Sequence, residues 1–287
     1  MASCAVRLRK FGGAVGRLGQ ETAGAVDDAS VVLHLHRLYA ATRIEQAWAL
    51  HLRRMSDYGF DRILYSNACL PAGVGVLEDT LLLSNHDRSF LDPFCRTGMW
   101  RGGIFIRRAE QQGRRSVSWR VTDETALTED ERRILAFRAR HGVVAGYSMN
   151  FSGLGVHGRA GTGLCARHGL SQDDVDAIWE RHGLLIEVMN IAFHLRVTTL
   201  PIDLPGRTLT RRQREVLRWA SDGKTVQDIA QLMGLTAPTI EKHLRLARAA
   251  LGVQTTTQAV LKASFLNQLL RVDSCEPIGD RSELPEE

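Results

Sequence analysis

The side chains best placed to do chemistry lie in one short stretch near the C-terminus. Wound as a helix from Thr236, the chain puts Ile240, Leu244, Ala247 and Leu251 on one side. Lys242 and Arg245 point away from that side, and Glu241 and Arg248 flank them. Arg and Lys donate to guanine O6 and N7, and a Glu accepts from the cytosine amino group. A cationic face over an apolar underside is what a helix lying in a major groove requires. It is also what the solvated face of a small helical bundle would show, and this pattern alone leaves both readings open.

Other reactive side chains form no comparable set. Cys165 and His168 are close in sequence, but no third member or nucleophile motif accompanies them. His34 and His36 stand two apart on an expected helix and so point apart. The five cysteines (4, 69, 95, 165 and 275) contain no CxxC pair, which suggests neither a zinc site nor a disulfide framework. No catalytic residue and no metal site is expected, and a reducing cytoplasm fits best.

The elements that must carry the basic helix are legible around it. Thr210 with Gln213 opens one helix, with Val216, Leu217 and Ala220 on its inner face; Thr225 with Asp228 opens a second. Gly234-Leu235 makes a tight turn into the third helix, which Thr236 caps and whose first turn tolerates Pro238. A fourth helix is expected over 256–269. Two short helices joined by a glycine turn make a helix-turn-helix. Arg214, Arg218 and Lys224 lie where a scaffold helix meets phosphates, and the cap amides at Thr225 and Thr236 suit phosphate oxygens.

Upstream the pattern is mixed. Residues 1–27 are Gly- and Ala-rich and read as a loose tail. One helix is expected from Val31 to Met55, ended by Gly59. Strands are expected over Arg62–Ser66, Thr80–Leu83, Val143–Phe151 and Thr162–Ala166. Thr128 with Glu131 caps a helix to Arg140, and Ser171 with Asp174 opens a long one to about Val197. Strands flanked by helices predict an α/β layered domain over 28–197. Val197–Thr208, with Pro201, Pro205 and Gly206, fits a linker over 198–208, followed by an all-α domain over 209–272 and a tail over 273–287.

Composition agrees with two globular domains. The chain has 287 residues, 44% hydrophobic and 24% charged, which excludes wholesale disorder. No apolar stretch approaches the roughly 18–20 residues that span a bilayer, and no signal peptide is read at the N-terminus. Residues 207–270 hold ten Lys/Arg against four Asp/Glu, a local +6 within a chain of net +5. A compact basic domain on a near-neutral body suggests a polyanion partner.

The stretch 209–260 resembles the DNA-binding domain of LuxR-type transcription regulators. The matching residues are Leu209-Thr210, Arg214-Glu215-Val216-Leu217, Gly223-Lys224-Thr225, Ile229-Ala230, Thr239-Ile240, His243-Leu244 and Leu251-Gly252-Val253. The resemblance implies double-stranded DNA as partner, read by Glu241, Lys242 and Arg245. Arg214, Lys224, Thr225, Thr236, Thr239 and Arg248 are the supporting contacts. It also implies a homodimer, with Ala259, Val260, Ala263 and Leu266 on or near the dimer face, and RNA polymerase as a further partner.

The body is similar to the autoinducer-binding domain of the quorum-sensing branch. It carries Tyr58-Gly59-Phe60, Asp92-Pro93, Trp119, Leu127-Thr128 with Glu131-Arg132, and Gly142-Val-Val-Ala-Gly146. The acidic pair and phosphoacceptor Asp of a receiver domain are not found. The resemblance implies an α-β-α sandwich holding an acyl-homoserine lactone or related small acyl ligand. Asp92 would accept from the ligand amide and Trp119 would donate to the lactone carbonyl, with Tyr65, Ile134 and Leu135 in the pocket. The family's Trp and Tyr, thirteen and nine residues before that aspartate, fall here on Asp79 and Leu83. Tyr65 or Phe90 is then expected to supply the wall. An orphan regulator that binds DNA without a lactone is the alternative reading, and an enzyme body fused to a DNA-binding module is the third.

Overall fold

The computed structural model describes residues 9–10, 28–68, 80–99, 104–151, 153–154, 160–202 and 208–269. The chain divides into two compact units, Met1–Pro205 and Gly206–Glu287.

The first unit is built on one sheet. Its strands are β1 (Arg9–Lys10), β2 (Phe60–Ala68), β3 (Thr80–Ser84), β4 (Ser116–Ser118), β5 (Gly146–Asn150) and β6 (Ala160–Ala166), in the order β1-β3-β2-β6-β5-β4. All neighbours are antiparallel except β1 and β3. The expected N-terminal tail is thus corrected at Arg9–Lys10, which pair with Leu83–Ser84; the rest of 1–27 lies outside the described residues. So do 270–287, including the expected C-terminal tail, and 203–207 of the expected linker.

Both faces of the sheet are covered, giving the α-β-α sandwich. Helices α1 (Asp28–Ala40), α2 (Ile44–Asp57) and α6 (Gln172–Thr199) take one face; α3 (Arg88–Arg96), α4 (Ile104–Gln111) and α5 (Glu129–Arg140) take the other. Alternation along β2 sorts the two cores: Ile63 and Tyr65 go with Trp48, Ile186 and Phe193, whereas Leu64 and Ser66 face the α3–α5 side. Burying a large apolar side chain of this kind contributes about 1.5–3 kcal/mol.

The caps set most helix ends. Thr128 and Glu131 form the expected capping box of α5, and Ser171 and Asp174 that of α6. The single helix expected over Val31–Met55 is two. The chain breaks at 41–43, where Arg196 donates twice to the Ala41 carbonyl at 2.6 and 3.0 Å and the Gln46 side chain takes the Thr42 N–H. A tertiary partner satisfies the groups that a continuous helix would have paired. Helices α3 and α4 and strand β4 carry no sequence signal strong enough to expect. Pro93 lies inside α3, where a proline is ordinarily a breaker.

The second unit contains α7 (Arg211–Ser221), α8 (Val226–Met233), α9 (Ala237–Leu251) and α10 (Thr256–Phe265). Val216, Leu217, Ile229, Ile240, Leu244, Ala247, Leu251, Ala259 and Ala263 form its core. Gly234 ends α8 at φ +64, a left-handed conformation that glycine adopts without the Cβ penalty.

Candidate ligand cavity and nucleic-acid interface

A cavity of about 100 Å³ lies between the sheet and α3–α5. That is several times the space one water needs. Leu64, Leu82, Phe90, Phe94, Ile104, Phe105 and Val143 give it an apolar wall. Trp119 lies flat against the sheet, and the sheet is glycine where the indole sits. A Cβ on Gly146 would stand 2.1 Å from the Leu164 carbonyl oxygen and 2.7 Å from the indole; one on Gly163 would touch it at 3.5 Å. Trp119 Nε1 donates to Ser148 Oγ at 2.8 Å.

Of the expected pocket residues, Trp119 and Ile134 line the cavity, and Leu135 packs half-buried against the same cluster. Two expectations are corrected. Tyr65 is on the opposite face of β2, because Leu64 and Ser66 on either side of it face the cavity. Its hydroxyl lies 2.9 Å from His194 Nδ1 and its ring meets Phe193 edge-on. Asp92 is exposed on the outer face of α3, whose inner face is Phe90, Leu91, Phe94 and Cys95. The Asp-Pro pair that suggested a ligand aspartate therefore does not line the cavity.

Phe90, rather than Tyr65, supplies the wall. Phe90 and Phe94, one helical turn apart on the inner face of α3, both line the cavity. Asp79 lies outside the described residues, while Leu83 is buried next to the lining residue Leu82 and points to the other face.

Two basic residues of the cavity were not anticipated. Arg138, on α5, is 9% exposed, with its guanidinium carbon 3.8 Å from the Trp119 ring centre and 5.1 Å from that of Phe105. Burial pushes its pKa down to about 10. His86 stacks on Phe90 at 4.8 Å, and burial, reinforced by the charge of Arg62, lowers it to about 3. A wheel of α5 carried the signal for Arg138: it sits four residues after Ile134, inside the apolar stripe. Cys165 is buried, and burial pushes its thiol up to about 11, which denies it the thiolate that a nucleophile needs. His168 is exposed nearby.

In the second unit the wheel of α9 is as expected. Ile240, Leu244, Ala247 and Leu251 are buried; Glu241, Lys242 and Arg245 are exposed. Among the described residues none of those three has an ion-pair partner. Thr239 is half-buried, and Thr236 and Lys224 are exposed.

The helix starts differ. Caps at Thr210, Thr225 and Thr255 each receive a capping box, but α9 has no side-chain cap and no acid in its first turn. The Thr236 hydroxyl meets that of Thr239 at 2.9 Å instead. Thr225 is otherwise engaged: its N–H and hydroxyl both donate to Asp228 at 2.9 and 2.7 Å, and those bonds hold the Asp228 carboxyl below its usual range. The start of α9 keeps more of its amides for a phosphate than that of α8, whose capping box takes the Thr225 and Asp228 N–H groups.

Two outer arginines are tied down. Arg214 donates to the Leu209 carbonyl at 2.9 Å, and Arg248 to Thr256 Oγ1 at 3.1 Å, both half-buried. The expected dimer face on α10 is also corrected, because Ala259, Ala263 and Leu266 are core residues of their own unit. Val260 is half-buried, and the neighbouring Leu261 is exposed.

Residues 43–197 match the family described as "Autoinducer binding domain", and residues 207–263 match "Bacterial regulatory proteins, luxR family". The transcriptional activator AhyR of Aeromonas hydrophila is 29% identical over 153 residues, covering 51% of this chain and 57% of that protein. BjaR1 of Bradyrhizobium diazoefficiens, also a transcriptional activator, is 40% identical over 70 residues, 24% of this chain and 29% of its own. The matches thus span only part of these relatives' lengths. Among solved structures, Escherichia coli SdiA superposes at a TM-score of 0.47 with 13% identity, covering 84% of this chain and 98% of that one. The first match alone spans more than half of the sequence, and with the second it shows that the chain belongs to the LuxR family of bacterial regulators that carry an autoinducer-binding domain.

Proposed function

We propose that this protein is a transcription regulator that binds double-stranded DNA in a sequence-specific manner and responds to a small acyl ligand. The carrying observation is the face of α9: Glu241, Lys242 and Arg245 exposed opposite a buried apolar stripe, behind a helix start with no side-chain cap. Arg and Lys there suit guanine edges, and the free amides suit a phosphate. The matched family and its activator relatives support the same reading.

The ligand reading rests on the cavity and on the match over 43–197. Ligand binding would order the cavity and favour one state of a dimer, since coupling requires differential binding to two states. A second copy of the chain is the partner proposed for α6, which leaves Leu184, Val188 and Leu195 exposed on one face. RNA polymerase is the further partner of an activator of this class. Among the described residues no helix is long and apolar enough to cross a membrane.

The test is selection of random duplexes by the full chain, followed by gel shifts in the presence and absence of an organic extract of its host. Enrichment of a two-fold symmetric site, bound more tightly with extract, is the expected result. Absence of association with any duplex at low salt would remove the DNA reading. Binding indifferent to every extract would leave the orphan regulator.

A further inference from the structure

The cavity holds a cation that the described protein does not neutralise. Arg138 is buried against Trp119 and Phe105. Among the described residues no carboxylate pairs with it and no oxygen accepts a hydrogen bond from it. The two aromatic faces offset part of the lost hydration. A buried charge without a counter-charge is still among the least favourable arrangements a fold can hold. Its lowered pKa remains well above neutral, so it is charged at physiological pH.

A second unused group lines the same cavity. His86 Nδ1 lies 3.1 Å from Ser84 Oγ, and Nε2 is buried without a partner. Ser84 Oγ also accepts from the His86 backbone N–H, and the imidazole meets the Ile63 carbonyl as well, so the hydrogen bonds at Nδ1 set the tautomer. The cavity is therefore lined by a guanidinium and an imidazole, beside the hydroxyls of Ser66, Ser148 and Thr162 and surrounded by Phe90, Phe94, Ile104 and Val143. Polar groups left unmade inside an apolar pocket mark where a ligand's polar atoms go.

The geometry points to an anionic ligand: a monocarboxylate with an apolar acyl or aryl body, whose carboxylate pairs with Arg138. This rests on the ligand-binding reading above and names the class of ligand. A planar guanidinium takes a carboxylate through two parallel hydrogen bonds. A neutral lactone or ester can accept hydrogen bonds from it through a carbonyl but brings no counter-charge. The carboxylate can belong to a free acid or to an acyl-amino acid, and the two share the same head-group chemistry.

Calorimetric titration of the full chain with matched pairs tests this. The probes are octanoate against methyl octanoate, and N-octanoyl-homoserine against its lactone. At least one acid is expected to bind ten-fold or more tightly than its neutral counterpart, and the tighter acid distinguishes the two sources. Arg138→Met is expected to erase that preference. Neutral counterparts that bind as tightly as the acids, an acid preference that survives Arg138→Met, or binding by none of the four would each overturn the proposal. If Arg138→Met does not fold, the wild-type ratio decides alone. Gel shifts on the selected duplex keep the outcomes apart: a lactone that tightens DNA binding would sink the anionic ligand and leave the regulator standing.

Discussion

The two units use arginine in opposite ways. On α9, Arg245 stands off the apolar stripe of Ile240, Leu244 and Ala247, in solvent. On α5, Arg138 stands in the stripe with Ile134 and Phe137, over an indole ring. An exposed charge keeps its water, is screened by salt, and suits a polyanion bound through many weak contacts. A buried one loses its water and suits a single, well-placed partner. The same side chain serves recognition of a long surface or of one small molecule, according to its place on the helical wheel.

The largest effect expected to sharpen this contrast is acid instability confined to the first unit. His51 and His86 are lowered to about 3, and His34 and His194 to about 4, chiefly by burial. The unfolded chain binds protons below about 6.5 that the folded chain refuses, so stability falls as pH drops from 6.5 towards 4. At pH 5.5 each such histidine subtracts about 1 kcal/mol. The second unit has no buried histidine among its described residues. Urea unfolding monitored separately for the two units at pH 7.5 and 5.5 should show the first losing roughly 4 kcal/mol more than the second. Equal losses would break the contrast.

Next in size is Gly146→Ala. Its Cβ would meet a backbone oxygen as well as the Trp119 ring, so relief requires moving the strand. A loss of about 3 kcal/mol is expected, with DNA binding by the intact fraction unchanged. Unfolding midpoints within error of wild type would show that β5 yields. Arg245→Ala should cost about 2 kcal/mol on a selected duplex and relax base choice at one position, with little change in stability. Competition gel shifts with single-base variants measure it, and unchanged discrimination would put base reading elsewhere. The smallest effect compares caps. Thr225→Ala should destabilise the second unit by about 1 kcal/mol, and Thr236→Ala by much less, since only Thr225 accepts from an N3 amide. Similar losses would mean that Thr236 caps α9 after all.

The legibility of the two units differed for the same reason as their chemistry. The helices of the second unit announce themselves through local signals, three capping boxes and the glycine turn at 234. Glu241, Lys242 and Arg245 were readable because exposure on a single helix follows from its own periodicity. The first unit's capping boxes at 128 and 171 were equally readable. Its ligand residues were not, because a cavity is a relation between elements distant in sequence. Asp92 followed by Pro93 looked like a ligand aspartate only while α3 was unknown; once the helix is drawn, Phe90 and Phe94 take the inner face. Tyr65 failed by one position in the two-residue alternation of a strand, which exchanges one face of the sheet for the other.

What the chain determined by itself is what neighbours in sequence can settle: helix starts, the stop at Gly234, and the polar and apolar sides of α9. Tertiary structure alone decided which arginines are free. Arg248 is held by Thr256 of the next helix, the break at 41–43 is held by Arg196, and Arg138 is enclosed by α4, β5 and the Trp119 indole. Periodicity reports which side of an element a residue lies on. Whether that side meets water, a carbonyl or a cavity depends on packing partners that local patterns do not encode.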